Sequence, residues 1–195
     1  MFDLWSRLLD VVEQDIVPLT RTGVESGNKI FGAAILRRSD RSLIVAGTNE
    51  ETVCPIWHGE MTTIRNLYAL TRAGRPSPED CLFLSTHEPC SMCLSAITWA
   101  GYRDIYYLFR YEQTRDRFHI PHDLRILKEV FRCESGDYAR KNKYWESHDI
   151  IAGIRECRAP ERKALANKVE LLRAIYDELS ERYQLRNGTA SIPLP

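Results

Sequence analysis

The stretch HEPCSMC, residues 87–93, contains two thiols at a spacing that suits metal binding. Cys90 and Cys93 follow Pro89, which favours the start of a helix, and both thiols can point past the same helix end. Free backbone N–H groups and the positive end of the helix dipole favour thiolates there. Taken alone, the pair is compatible with a zinc site or with a redox disulfide.

A second stretch, WHGE at residues 57–60, favours the metal. His58 offers a nitrogen ligand, and Glu60 stands two residues further on, where it can lie beside the ion without binding it. Three protein ligands (His58, Cys90 and Cys93) leave the fourth zinc position for water. Zinc lowers the pKa of that water, and a nearby carboxylate can carry its proton to a leaving group. The two stretches together therefore predict a hydrolytic zinc site.

Two other interpretations of these residues stay open. Cys54, four residues before His58, could close the zinc site as a fourth ligand, which would make the metal structural. That version leaves Glu60 without a purpose. A redox pair of the thioredoxin type does not explain His58.

The hydrophobic pattern predicts an α/β protein that positions these stretches. Strands alternate with helices through the second half, which indicates a three-layer α/β/α sandwich with a central five-stranded mixed sheet. Apolar residues of the last helix repeat at helical spacing and form one stripe: Leu165, Val169, Leu172, Tyr176, Leu179 and Tyr183. The predicted helices are 2–16, 58–74, 89–101, 121–133 and 160–184, and the predicted strands are 29–38, 42–49, 81–87, 103–111 and 148–154.

Length and composition predict a single domain. The 195 residues are 44% hydrophobic, enough to bury a core, and we expect one domain at 1–186, which carries the zinc site, followed by a polar tail at 187–195. Lys plus Arg and Asp plus Glu are both 27, so the formal net charge is zero. Without a net positive charge the protein has no long-range attraction for nucleic acid, and a small-molecule substrate is favoured. No signal-like segment or membrane span is recognised, which predicts a cytoplasmic protein with no membrane partner.

The order of five motifs resembles the cytidine deaminase-like superfamily. IFGAAIL, AGTN, HGEMTTIR, STHEPCSMCLSAITWAG and HDIIAGI occur in sequence over roughly residues 28 to 155, and the pair H-x-E and P-C-x-x-C is a recognised signature of zinc deaminases. The similarity is to the branch of guanine deaminases, cytosine deaminases and tRNA adenosine deaminases. It implies that His58, Cys90 and Cys93 bind Zn²⁺ and that Glu60 shuttles the proton. It further implies that Asn49 and the Gly59 amide contact the substrate, and that the protein is a homodimer.

The chain departs from that pattern beside the predicted pocket. Ile30 stands where this branch usually has Pro before Phe-Gly, and residues 54–57 replace the usual Asp-Pro-Thr-Ala type of sequence. Phe31 and Trp57 are predicted to wall the pocket and stack on a planar ring, although large aromatic residues also serve as plain core. These differences concern the residues predicted to select the substrate and leave the predicted zinc ligands unchanged.

Three further histidines lie near the motifs. His87 is expected at the surface, at the end of a strand. His119 and His122 are expected either in a lid over the site or in a solvated loop.

The function predicted from the sequence is a zinc-dependent aminohydrolase acting on a guanine- or cytosine-type base or nucleoside. Within enzymes the alternative is adenosine deamination in tRNA, against which the zero net charge argues. Outside enzymes the alternative is a zinc-stabilised interaction protein with the same fold.

Overall fold

A mixed five-stranded sheet forms the centre of the molecule. The structure is a computed structural model that describes residues 2–186 and 192–194. Its helices are α1 Phe2–Val11, α2 Val17–Glu25, α3 Gly59–Ala69, α4 Ser91–Trp99, α5 Tyr111–Asp116, α6 His122–Phe131, α7 Ile150–Arg155 and α8 Ala159–Arg186. Its strands are β1 Gly32–Arg37, β2 Leu43–Thr48, β3 Cys81–His87, β4 Asp104–Phe109 and β5 Glu146–Asp149. A π-helical segment, Val12–Ile16, joins α1 to α2.

The strand order is β2-β1-β3-β4-β5. β1 pairs antiparallel with both β2 and β3, whereas β3, β4 and β5 run parallel. Successive side chains of a strand point to opposite faces, so the interior of β1 divides between two cores: Ala34 and Leu36 on one face, Ala33 and Ile35 on the other. Helices on both faces complete the layers, which confirms the predicted α/β/α sandwich with a mixed sheet.

Each face of the sheet packs against its own group of helices. Helices α1, α2, α7 and α8 contribute to the larger core, and the predicted stripe of α8 is buried throughout. Helices α3 and α4 contribute to the smaller core on the opposite face. β3 lies between the two and is buried at all seven positions, as its continuously apolar sequence predicts.

Two predictions about elements were wrong in detail. The first concerns α3, which ends at Ala69 and not near Gly74.

The second correction concerns HDIIAGI, for which periodicity predicts a strand. β5 ends at Asp149, and the following residues form α7. The Asp149 carboxylate accepts a hydrogen bond of 2.9 Å from the Ala152 N–H, so the chain begins a helix where periodicity alone allowed a strand.

The predicted tail lies mostly outside the described residues. Residues 187–191 and 195 are among those the structure does not describe, while Ile192 is buried and Leu194 is half exposed.

Among the described residues, no helix combines the length and the apolar character that a membrane crossing requires.

Candidate zinc and active site

Two helix N-termini bring the predicted ligands together. His58 is the residue that precedes α3, and Cys90 is the residue that precedes α4. The ligand atoms of His58, Cys90 and Cys93 all lie within 4.8 Å of one another. At the start of α4 the Cys93 N–H donates to the Cys90 Sγ at 3.5 Å, which favours a thiolate at Cys90.

Gly59 permits this approach of α3 to the sheet. A Cβ at position 59 would lie 2.7 Å from the Gly32 Cα and 3.0 Å from the Phe31 carbonyl oxygen, closer than packed atoms allow. The absent side chain at Gly59 therefore lets the start of α3, and His58 with it, sit against the beginning of β1.

The imidazole of His58 is held from both sides. Its Nδ1 lies 3.6 Å from the Cys90 Sγ, and its Nε2 lies 3.6 Å from an oxygen of Glu51. Burial lowers the pKa of His58, but Cys90, Glu51 and Glu60 outweigh that effect and raise it to about 9. Nδ1 thus faces the cluster, while the second nitrogen faces a carboxylate, the usual arrangement of a metal-binding histidine.

The two cysteines differ in their tendency to ionise. Hydrogen bonding from Cys93, followed by His58, holds the pKa of the Cys90 thiol well below its ordinary value despite burial. Burial raises the pKa of the Cys93 thiol, and the neighbouring Cys90 and Glu60 raise it further. A divalent cation would relieve this concentration of negative charge.

The donor set fits zinc. One imidazole nitrogen and two cysteine sulfurs are ligands that zinc prefers, and three protein ligands are the usual number where the metal keeps an open position. Among the described residues, Cys54 does not join the converging group. The closed four-ligand interpretation therefore has no support in this geometry.

Glu60 lies beside the cluster, in the first turn of α3. It is buried, and its Oε1 accepts a hydrogen bond of 2.8 Å from the Ser85 hydroxyl on β3. Burial raises the pKa of Glu60, and the negative charge of Cys90 adds to this effect. A carboxyl group whose pKa is raised holds a proton more readily than an exposed one, which suits a group that accepts and passes on protons.

Glu51 connects several polar groups behind His58. Its two oxygens accept hydrogen bonds from the Lys29 ammonium at 2.7 Å and from the Asn49 amide at 2.7 Å. Lys29, Asn49 and Glu51 are all buried. Sequence patterns did not single out Lys29 or Glu51, because these two partners are 22 positions apart in the chain.

Asn49 and Gly59, the predicted substrate contacts, are bonded to each other. The Gly59 N–H donates to the Asn49 side-chain oxygen at 2.5 Å, and the Asn49 nitrogen is bound to Glu51. Both groups therefore have partners within the protein, and substrate contact by them stays a prediction.

A cavity of about 160 Å³ opens onto the cluster. The predicted wall residue Phe31 lines it, and so does Asp123, which sequence analysis missed although it follows His122 in the motif IPHD. Burial raises the pKa of Asp123 well above its ordinary value, with Cys90 contributing. The remaining lining residues are Lys29, His58, Cys90, Ser91, Met92, Ile120, His122, Ile126 and Leu194.

Trp57 does not line this cavity, and the Arg65 guanidinium lies over its ring, 4.2 Å from the centroid. The stacking role predicted for Trp57 stays a prediction. Of the two histidines expected in a lid or a loop, His122 borders the cavity, and His119 is exposed.

The prediction for His87 was wrong, because this residue is only 3% exposed. Phe31, Phe109, Phe118 and Tyr176 surround its ring at centroid distances of 4.7–5.3 Å. The end of β3 lies beneath α8. This helix, which is distant in the sequence, therefore covers His87, for which the sequence predicts a surface position.

Comparison with known proteins agrees with this architecture. The family model for the cytidine and deoxycytidylate deaminase zinc-binding region matches residues 14–109. A guanine deaminase of Bacillus subtilis (strain 168) is 37% identical over 94 residues, which are 47% of this chain and 58% of that relative. The chain thus spans less than two thirds of the relative's length.

Two solved structures have a similar fold. A mutant of NE0047 in complex with 8-azaguanine superposes with a TM-score of 0.59 at 22% identity, covering 91% of this chain and 85% of its own. A guanine deaminase from Nitrosomonas europaea gives a TM-score of 0.52 at 20% identity, with 91% and 84% covered. At these identities the comparison supports the fold alone.

Proposed function

We propose that the chain is a zinc-dependent aminohydrolase of the cytidine deaminase-like superfamily. The match of residues 14–109 to the deaminase zinc-binding region and the similarity to a guanine deaminase support this proposal. It would replace an amino group on a heteroaromatic ring with a carbonyl group and release ammonia. The observation that carries this proposal is the buried carboxylate of Glu60 beside a His58, Cys90 and Cys93 cluster that offers three ligands.

His58, Cys90 and Cys93 would hold Zn²⁺, which supplies a nucleophile at neutral pH by lowering the pKa of a water molecule. Glu60 is the group that moves protons. Ser85 fixes its Oε1, so we assign proton transfer to Oε2. In the balanced reaction, water adds to the ring carbon as a hydroxyl group, and Glu60 carries the released proton to the ring nitrogen. Glu60 then carries the second proton, from that hydroxyl, to the amino group, so that the C–N bond breaks, ammonia departs and the carbonyl forms.

The size of the cavity favours a small substrate. About 160 Å³ is below the ~300–1,000 Å³ that is usual for sites of drug-sized ligands, so a free base suits it better than a nucleotide. Phe31 supplies an apolar wall for a planar ring. Guanine is the first candidate, since the curated relative is a guanine deaminase, and cytosine is the second.

The other predicted assignments belong to the same proposal. Asn49, Gly59 and Trp57 are proposed substrate contacts from the family resemblance. A homodimer in the cytoplasm, with no nucleic-acid partner, is the proposed form of the protein.

Ammonia release from a panel of bases and nucleosides tests the activity. We expect the zinc-loaded protein to act on at least one member, and Glu60→Gln to lower turnover by roughly 10²- to 10⁴-fold while retaining zinc, because it removes the proton carrier. Glu181→Gln, at an exposed position of α8, is the matched control. Full zinc loading without ammonia from any member would instead favour the non-catalytic interaction protein.

A further inference from the structure

Lys29 places a buried positive charge at the edge of the active-site cavity. The residue is 4% exposed, and buried lysines are rare in proteins. It immediately precedes the segment that leads into β1 and lines the cavity together with His58, Cys90 and Asp123. Nothing in the zinc chemistry described above requires a cation at this position.

The ammonium group has hydrogen-bonding capacity left over. A lysine side chain has three N–H donors, and among the described residues the hydrogen bonds of the Lys29 ammonium go to one acceptor, Glu51 at 2.7 Å. A buried donor without a partner costs free energy, so an acceptor on a bound ligand would be favoured here.

The surrounding charges decide which kind of acceptor fits. Glu51 balances the positive charge of Lys29, and Asp123 lines the same cavity. A phosphate or carboxylate on the ligand would therefore meet no excess positive charge. A neutral carbonyl oxygen, which accepts through two lone pairs and projects beyond the ring, suits the site better.

We propose that Lys29 is a specificity-determining residue that donates a hydrogen bond to an exocyclic oxo group of the substrate. This inference rests on the proposed function and narrows its substrate class to neutral amino-heterocycles that also carry a carbonyl oxygen. Rings that have the amino group but no oxo group bind without this contact.

Paired ligands that differ in the oxo group and the ring N–H beside it test the assignment, because only the oxo group can accept from Lys29. We would measure the affinity of guanine against 2-aminopurine, and of cytosine against 4-aminopyrimidine, in a zinc-loaded Glu60→Gln background, where turnover does not interfere. Lys29→Met should weaken binding of the oxo-bearing member by about 10- to 100-fold, the range for a hydrogen bond to a charged donor. The partner lacking the oxo group should change by less than about 2-fold, because it makes no contact with Lys29.

Lys163→Met, at an exposed position of α8, is the matched control and should leave all four affinities unchanged. Since Lys29→Met leaves the Glu51 carboxylate buried without its cation, Lys29→Met with Glu51→Gln, compared at saturating zinc with Glu51→Gln alone, provides a second variant in which both charges are absent. It should show the same selective loss. Equal weakening of both members of a pair, no weakening, or no binding of any of the four ligands before Lys29 is changed would overturn the proposal.

The outcome for the proposed function is measured separately. Ammonia release is scored with Glu60 intact, whereas ligand recognition is scored by affinity alone. Selective binding that depends on Lys29, without ammonia from any ligand, would reject the deaminase proposal and leave the recognition role of Lys29 in place. Ammonia release without selectivity for the oxo group would support the deaminase proposal and reject the recognition role of Lys29.

Discussion

Two histidines of this protein, both inside the fold, occupy opposite kinds of environment. His58 lies among groups that carry negative charge, with Cys90, Glu51 and Glu60 around it, and its pKa is raised to about 9. His87 lies in an aromatic cage with no charged neighbour contributing to its pKa, and burial lowers that pKa to about 3. Phe31 borders both regions, since it contacts the ring of His87 and lines the cavity at His58.

The difference teaches that burial alone does not determine the role of a histidine here. Desolvation disfavours the charged imidazole at both positions, and nearby negative groups reverse that effect only at His58. A cage without charges keeps His87 neutral and suits a packing role. A cluster of negative groups suits cation binding, and the following variants test this contrast.

The largest expected effect is on zinc affinity when a ligand is replaced. Cys93→Ser should weaken zinc binding by more than about 100-fold, because loss of an outer partner alone typically costs 10- to 100-fold. Metal content after dialysis against a chelator measures the effect, and Cys157→Ser, at a partly buried thiol outside the cluster, is the control. Retention of stoichiometric zinc by Cys93→Ser would contradict the assigned ligand set.

The second prediction concerns the carboxylate behind His58. Glu51→Gln should weaken zinc binding by about 10- to 100-fold, because the amide holds the Nε2 side of the imidazole less firmly than the carboxylate does. Competition with a fluorescent chelator measures the zinc affinity. Glu50→Gln, which alters the neighbouring carboxylate paired with Arg65, should leave that affinity unchanged. An equal loss in both variants would argue against a specific role for Glu51.

The third prediction concerns the pH dependence of stability at His87. Because the folded-state pKa of about 3 lies below the ordinary value of 6.5, the unfolded chain binds more protons between these limits. The contribution of His87 is therefore fully present above pH 6.5 and is lost as the pH falls. Between pH 6.5 and 5 it should lower the free energy of unfolding by about 2 kcal/mol.

His87→Phe removes the titrating group while keeping an aromatic ring in the cage, so this part of the pH dependence should disappear. Urea unfolding at pH 7, 6 and 5 measures it. The control is His119→Asn, at an exposed position with φ of 59°, which Asn tolerates. If His87→Phe lost stability with falling pH as steeply as the unsubstituted protein, His87 would not be neutral in the folded state.

The smallest effect is expected at Cys54. Cys54→Ser should change zinc affinity by less than about 2-fold, because this thiol lies outside the converging group. Measured in the same chelator competition, a loss of zinc and of folded structure would support the closed, four-ligand site in place of the open one.

Local patterns determined the parts of this protein that depend on neighbours in the chain. The hairpin of β1 and β2, the buried β3 and the stripe of α8 follow from hydrophobic periodicity, which reports the face that each element buries. The P-C-x-x-C and H-x-E spacings identified His58, Cys90 and Cys93, which the structure brings together, because each motif lies at a helix start.

Only the tertiary structure decided which side chains surround these motifs. Lys29, Glu51 and Asp123 reach the site from different loops and helices, and the Lys29–Glu51 pair joins residues 22 positions apart. His87 was misplaced because α8, far along the chain, covers the end of β3. The sequence by itself predicted most of the elements and the three candidate zinc ligands that converge in the structure, since periodicity and short spacing are local properties. Burial, charge pairing and the lining of the cavity depend on contacts between distant segments, which exist only once the chain has folded.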